Sequence, residues 1–135
     1  MFSFHHVALS VENLDASIAF YGVFGFLEVY RWHAEQGDLC IVHLKQGEAL
    51  LELFCFKKAD AAPDSSHTLS RDLPRIGIKH FALSVGDIYA AKGHLQQLGL
   101  AEGVDVVKGR TGVEYFFLKD PSGILLEVVQ DKRLL

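Results

Sequence analysis

Two histidines and two glutamates carry the chemistry that this sequence can be read for. His6 heads the run HVALSV and His80 heads HFALSV, while Glu52 lies inside ALLELF and Glu127 inside ILLEVV. A carboxylate within an apolar strand is costly unless it is paired, hydrogen-bonded or bound to a metal. One such Glu reads as a residue on an exposed strand face. Two at equivalent places, each matched by a His at the head of another strand, read as metal ligands. Two neutral imidazoles and two carboxylates neutralise a divalent cation and leave room for water or substrate, which is the composition of a catalytic site.

The equivalence rests on a repeat. His80 follows His6 by 74 residues, Ile88 follows Leu14 by 74 and Gly99 follows Gly25 by 74, while Ile124 follows Ala49 by 75 and sets Glu127 against Glu52. Four landmarks that keep register within one residue define two copies of a single unit.

The elements that must position these side chains follow from periodicity. Alternation places His6, Ala8 and Ser10 on one strand face and Val7, Leu9 and Val11 on the other. A helix is predicted next, with Asn13 as N-cap, Leu14, Ile18, Tyr21 and Phe24 at helical spacing and Gly25 as its stop. Strands are expected at 27–35, 39–45 and 49–56, separated by QGD and QGE. Residues 57–75 are polar, contain two prolines and read as a linker or covering loop. The order then recurs: a strand at 78–85, a helix opening at Asp87 with Ile88, Ala91, Leu95 and Leu98 on one face, and strands at 104–108, 113–118 and 124–130. The domain organisation expected is a first βαβββ module at 1–56, a linker at 57–75 and a second module at 76–135.

Composition narrows the partners. The net charge is −4 and neither sign forms a long block, which argues against nucleic acid and anionic membranes and for a small molecule. Cys40 and Cys55 lack metal-type spacing and read as reduced core thiols. The N-terminus shows no basic segment followed by an apolar run, no stretch approaches membrane-spanning length, and the cytoplasm is the expected location.

The openings HHVALSVENLDASIAFY and IKHFALSVGDIYAA, the ending YFFLKDPSGILLEVVQ and the paired βαβββ order resemble the vicinal oxygen chelate superfamily, which includes glyoxalase I, methylmalonyl-CoA epimerase, extradiol dioxygenases, fosfomycin-resistance proteins and bleomycin-binding proteins. The resemblance implies an α+β fold in which each module curls a mixed sheet into a half-barrel, the two enclosing one divalent metal held by His6, Glu52, His80 and Glu127. The set is similar to that of bacterial glyoxalase I, and it implies a lyase or isomerase abstracting a proton next to a carbonyl, with Glu127 as first base and Glu52 as its counterpart. Proton abstraction of that kind needs a base and a cation at the developing oxyanion. Zinc, nickel, cobalt, manganese and iron all suit these ligands. A homodimer is expected. Other members imply two alternatives, an iron-dependent ring-cleaving dioxygenase and a metal-free drug-binding protein of the bleomycin-resistance type. Two positions depart from bacterial glyoxalase I: Ser10 replaces an Arg that helps to hold glutathione, and Phe54-Cys55-Phe56 replaces an Asn-containing segment.

Arg31, Trp32, Phe54, Phe56, Tyr115 and Phe117 are the candidate substrate-pocket residues, an apolar set with one cationic contact. His5, one step from His6, is expected on the opposite face in a packing or hydrogen-bonding role. His33 and His43, in strands of the first half, could line the cavity but read first as ordinary half-buried residues, and His67 and His94 read as solvent-facing. Asp120 to Gly123 reads as a turn that sets Glu127 in register.

Overall fold

The first sheet begins with the shortest possible statement of the repeat: β1 (Val7–Ser10) buries Leu9, and Val11 just beyond it, while Ala8 and Ser10 stay exposed. The computed structural model describes residues 1–135. Helix α1 (Leu14–Val23) follows, with the Asn13 side chain accepting from the Ala16 N–H as an N-cap does. It ends at Gly25, φ +89°, where the Gly25 N–H reaches the Gly22 carbonyl and the Phe26 N–H the Tyr21 carbonyl. That double bond pattern requires a left-handed residue, which glycine supplies without steric cost.

Strands β2 (Leu27–His33), β3 (Leu39–Gln46) and β4 (Ala49–Phe56) complete a four-stranded sheet in the order β1-β4-β3-β2, with β1 parallel to β4 and the other pairs antiparallel. One face carries Val42, Leu44, Leu51 and Leu53, all buried. The other carries His43 and Glu52. Cys40 and Cys55 are register partners across β3 and β4; both are free and half-buried, so they stand at the margin of the core and not inside it as expected.

The second sheet repeats the plan with β5 (Phe81–Ser84), α3 (Ile88–Gln97), β6 (Val107–Lys108), β7 (Glu114–Lys119) and β8 (Leu125–Gln130), in the order β5-β8-β7-β6. Asp87 caps α3 through the Tyr89 and Ala90 N–H groups, and Gly99, φ +74°, closes it with the same two bonds seen at Gly25. The class is α+β, two four-stranded mixed sheets with helices between the strands. The chain forms two units, Met1–Asp64 with Asp120–Ser122, and Ser65–Lys119 with Gly123–Leu135.

Several expectations shift. The buried face of α1 is Ser17, Phe20 and Tyr21, with Leu14 and Ile18 only half-buried, because apolar residues cover most of its circumference and the period alone does not select a face. Leu98 is the C-cap of α3 and half exposed, so that buried face consists of Ile88 and Leu95. The strand expected at 104–108 shrinks to two residues. Residues 57–75 are not wholly irregular, containing a 3-10 turn at Asp64–His67 and a short helix α2 (Leu69–Asp72).

That segment anchors the approach to His80. Asp72 is buried, pairs with Arg75 at 2.9 Å, and accepts from Lys79 Nζ at 3.2 Å while its carbonyl accepts from the same amine at 2.9 Å. Burial pushes the Asp72 carboxyl up, but the hydrogen bonds from Arg75 and Lys79 outweigh it and hold the group below its ordinary value. The unfolded chain therefore binds the proton more tightly than the folded one. The contribution is fully present above the unfolded value of about 3.9 and is lost as pH falls through the lower folded value. Asp72→Asn is expected to melt earlier than the wild type at pH 7, and the gap between the two melting curves should close as the pH is taken down through 4 to 2.

Candidate metal and proton-transfer site

Register carries the site. Ala8 faces Glu52 across the parallel pair β1·β4, and Ala82 faces Glu127 across β5·β8. Each His lies two residues before that Ala, just ahead of its strand, and it is the side-chain distance that sets it beside the Glu. His6 Nε2 lies 3.4 Å from Glu52 Oε2, and His80 Nε2 lies 2.9 Å from Glu127 Oε2. His6 is exposed at 38%, whereas Glu52 at 21%, His80 at 26% and Glu127 at 15% are half-buried.

The spacing within each pair fits a shared cation. Donors about 2.1 Å from a metal are roughly 3.0 Å apart at right angles and roughly 3.4 Å apart in a tetrahedron. Both observed separations fall at those values. The donor set of imidazole and carboxylate is that of a borderline or hard divalent ion. His80 Nδ1 is buried without a hydrogen-bond partner, so this ring's polar demand is incompletely met by protein. The structure forms two separate His–Glu pairs, His6–Glu52 in the first unit and His80–Glu127 in the second, and gathers no cluster of three or more His, Cys, Asp or Glu side chains poised around one point.

His5 departs from its expected direction. Regular pairing begins only at Val7, so alternation does not govern residue 5, and His5 Nδ1 approaches His6 Nδ1 at 2.8 Å. A partner on Nδ1 leaves Nε2 free for Glu52 or a metal, the usual arrangement for a ligating imidazole.

His43 is the residue that sequence reasoning set aside. It is the register partner of Glu52, and its Nε2 lies 2.9 Å from Glu52 Oε1. The signal was present in the hairpin: from the closing pair Gln46↔Ala49, three steps back on each strand bring His43 opposite Glu52. His33, His67 and His94 join neither pair.

The candidate pocket residues divide by face. Trp32 pairs with Ile41, and Tyr30, which was not selected from sequence, pairs with His43, so both lie on the Glu52 face with Phe54 and Phe56. Phe56 lies farther out, bordering an open depression of about 340 Å³ with Asp38, Lys57 and Lys58. Tyr115 and Phe117 share the Glu127 face, and the Phe117 ring meets His80 edge-on at 4.9 Å. Arg31 pairs with Val42 and so takes the opposite face from Trp32. Two 2.7 Å hydrogen bonds commit its guanidinium to Glu28, and that contact holds the Glu28 carboxyl below its usual range.

Paired βαβββ units with a His and a Glu at matched registers define the class of protein that the fold and site describe. The chain belongs to the glyoxalase/bleomycin resistance protein/dioxygenase superfamily, whose family model matches residues 3–128. It is 31% identical to the uncharacterized protein YaeR of Escherichia coli over 132 residues, covering 93% of this chain and 94% of that one. Among solved structures, the glyoxalase family protein from Enterococcus faecalis superposes with a TM-score of 0.76 at 28% identity, covering 94% of this chain and 96% of the other. Lactoylglutathione lyase from Agrobacterium tumefaciens superposes with a TM-score of 0.64, also at 28% identity, covering 96% and 94%. No helix is long and apolar enough to cross a membrane.

Proposed function

We propose that this protein is a divalent-metal-dependent lyase or isomerase of the glyoxalase I type, removing a proton from carbon next to a carbonyl of a small substrate. The observation that carries the reading is the repeated register: Ala8↔Glu52 and Ala82↔Glu127, each with a His on the same face at 3.4 and 2.9 Å from the Glu. In this reading His6, Glu52, His80 and Glu127 hold the cation, with His5 orienting His6. A bound divalent cation supplies Lewis-acid stabilisation for the oxygen that gains charge as the proton leaves.

The chain's own residues do the rest. Glu127 takes the proton at a carboxylate oxygen and returns it to the neighbouring carbon. Glu52 holds the equivalent place in the first sheet. Trp32 and Phe54 on the Glu52 face of the first sheet, and Tyr115 and Phe117 on the Glu127 face of the second, each offer apolar surface that would orient a small carbonyl compound and limit water at the reacting carbon. The likeness to lactoylglutathione lyase makes the hemithioacetal of methylglyoxal and glutathione the first substrate to try. Ser10 and the Phe54-Cys55-Phe56 segment leave the glutathione portion without the Arg and Asn contacts of bacterial glyoxalase I, so small carbonyl compounds and thioesters belong in the same assay panel.

The test is elemental analysis of purified protein followed by a metal-dependent assay. About one divalent ion per chain is expected, with turnover abolished by a chelator and restored by adding the metal back. Protein that takes up no divalent ion, or turns over equally well with chelator present, would refute the reading.

A further inference from the structure

The two glutamates are equivalent in the repeat but not in their surroundings. Across the first hairpin Glu52 faces His43; across the second, Glu127 faces Phe117. An ionised carboxylate only accepts hydrogen bonds, so Nε2 of His43 donates to Glu52 Oε1 over 2.9 Å. This occupies one oxygen and leaves Oε2 toward His6 Nε2, 3.4 Å away. Phe117 has no donor to offer Glu127.

The last torsion of a Glu side chain is broad, so a carboxylate held at one oxygen can swing. One held at both oxygens cannot do so without breaking a bond. The His43 ring is itself restricted, because its other register partner, Tyr30, sets a ring 5.6 Å from it.

We propose that His43 is a positioning residue that locks Glu52 as the fixed, single-oxygen ligand of the cation and so leaves proton transfer to Glu127. This deepens the metal-dependent reading above and rests on it. The sequence repeat makes the two glutamates interchangeable, whereas the difference between His43 and Phe117 gives them different work.

The test compares the full-length wild type with His43→Phe, which copies the second sheet, and His43→Gln, which keeps a donor. Thermal melts of the metal-free proteins check folding. With Zn²⁺ as probe, chelator competition is expected to show His43→Phe binding about 10- to 100-fold more weakly, the usual cost of losing an outer-shell partner, and His43→Gln recovering most of that loss. A measurement that needs no variant accompanies it: nitrogen NMR of the metal-free wild type should find the His43 proton on Nε2. Wild-type affinity in His43→Phe, or a proton on Nδ1, overturns the positioning role alone. A wild type that takes up no Zn²⁺ overturns both this proposal and the metal-dependent reading.

Discussion

Glu127→Gln is expected to lower turnover by about 10²- to 10⁴-fold, the range by which a positioned general base accelerates proton transfer. Gln keeps the length of the side chain and a carbonyl oxygen in the place of Oε2, 2.9 Å from His80 Nε2 in the metal-free protein, so the local packing survives. It cannot take a proton from carbon. Glu127 stands in β8 between buried Leu126 and Val128, where a change of shape would be felt in the core, and the near-isosteric replacement avoids that confusion. The equivalent Glu52→Gln should cost much less. The family resemblance itself allows Gln there, as methylmalonyl-CoA epimerase has at the matching position, and His43 holds the side chain in place either way. The check is single-turnover kinetics on the metal-loaded protein, with melting temperature measured beside it. Turnover retained by Glu127→Gln with unchanged metal content removes Glu127 from its role. Equal losses in the two variants would instead make the carboxylates equivalent and leave His43 without a consequence.

The contrast between these two glutamates shows which features the sequence makes legible. The 74-residue repeat was readable because both copies solve the same local problems with the same residue types: Asn13 and Asp87 cap the helices, and Gly25 and Gly99 end them with positive φ. Glu52 and Glu127 are legible because strand alternation fixes their faces, and His6 and His80 because the repeat sets each just ahead of an equivalent strand. His43 is less legible because it breaks the repeat: the residue facing Glu127 at the matching place is Phe117, so no counterpart marks it. Arg31 is the opposite case: Arg31 and Trp32 both have side chains suited to a pocket, but as adjacent strand residues they take opposite faces. Tyr21 and Asp120 were legible by neither route. They lie 99 positions apart, and at Tyr21's repeat position stands Leu95, so no periodicity or symmetry points to their contact.

That contact sets the second large effect. Tyr21 is fully buried in α1, and its hydroxyl donates to Asp120 Oδ2 over 2.8 Å, while Asp120 Oδ1 accepts from the Ser122 N–H over 2.8 Å. The Ser122 hydroxyl in turn accepts from the Glu12 N–H at 3.0 Å. The turn that sequence reading assigned to starting the last strand is therefore also a buried polar junction. Burial first, and then the charge and hydrogen bond of Asp120, push the Tyr21 phenol far above its ordinary range, so it stays a donor at any pH at which the protein is handled. Asp120→Ala leaves the Tyr21 hydroxyl and the Ser122 N–H without these acceptors, which should cost about 2–4 kcal/mol. For a chain of this size that corresponds to a melting temperature lower by on the order of 10 °C. Tyr21→Phe removes one donor and keeps the ring, so its cost should be nearer 1–2 kcal/mol. Because the two side chains share one hydrogen bond, the double variant should be less destabilised than the two single losses added together. Urea unfolding of the four metal-free proteins measures this directly, and strict additivity would refute the coupling. Below its melting range Asp120→Ala should retain the metal affinity of the wild type, since the bonds it removes run to the Tyr21 hydroxyl and the Ser122 N–H and not to a His–Glu pair. A loss of stability without a loss of metal is the reverse of what His43→Phe should show, and the two variants together separate what holds the fold from what holds the cation.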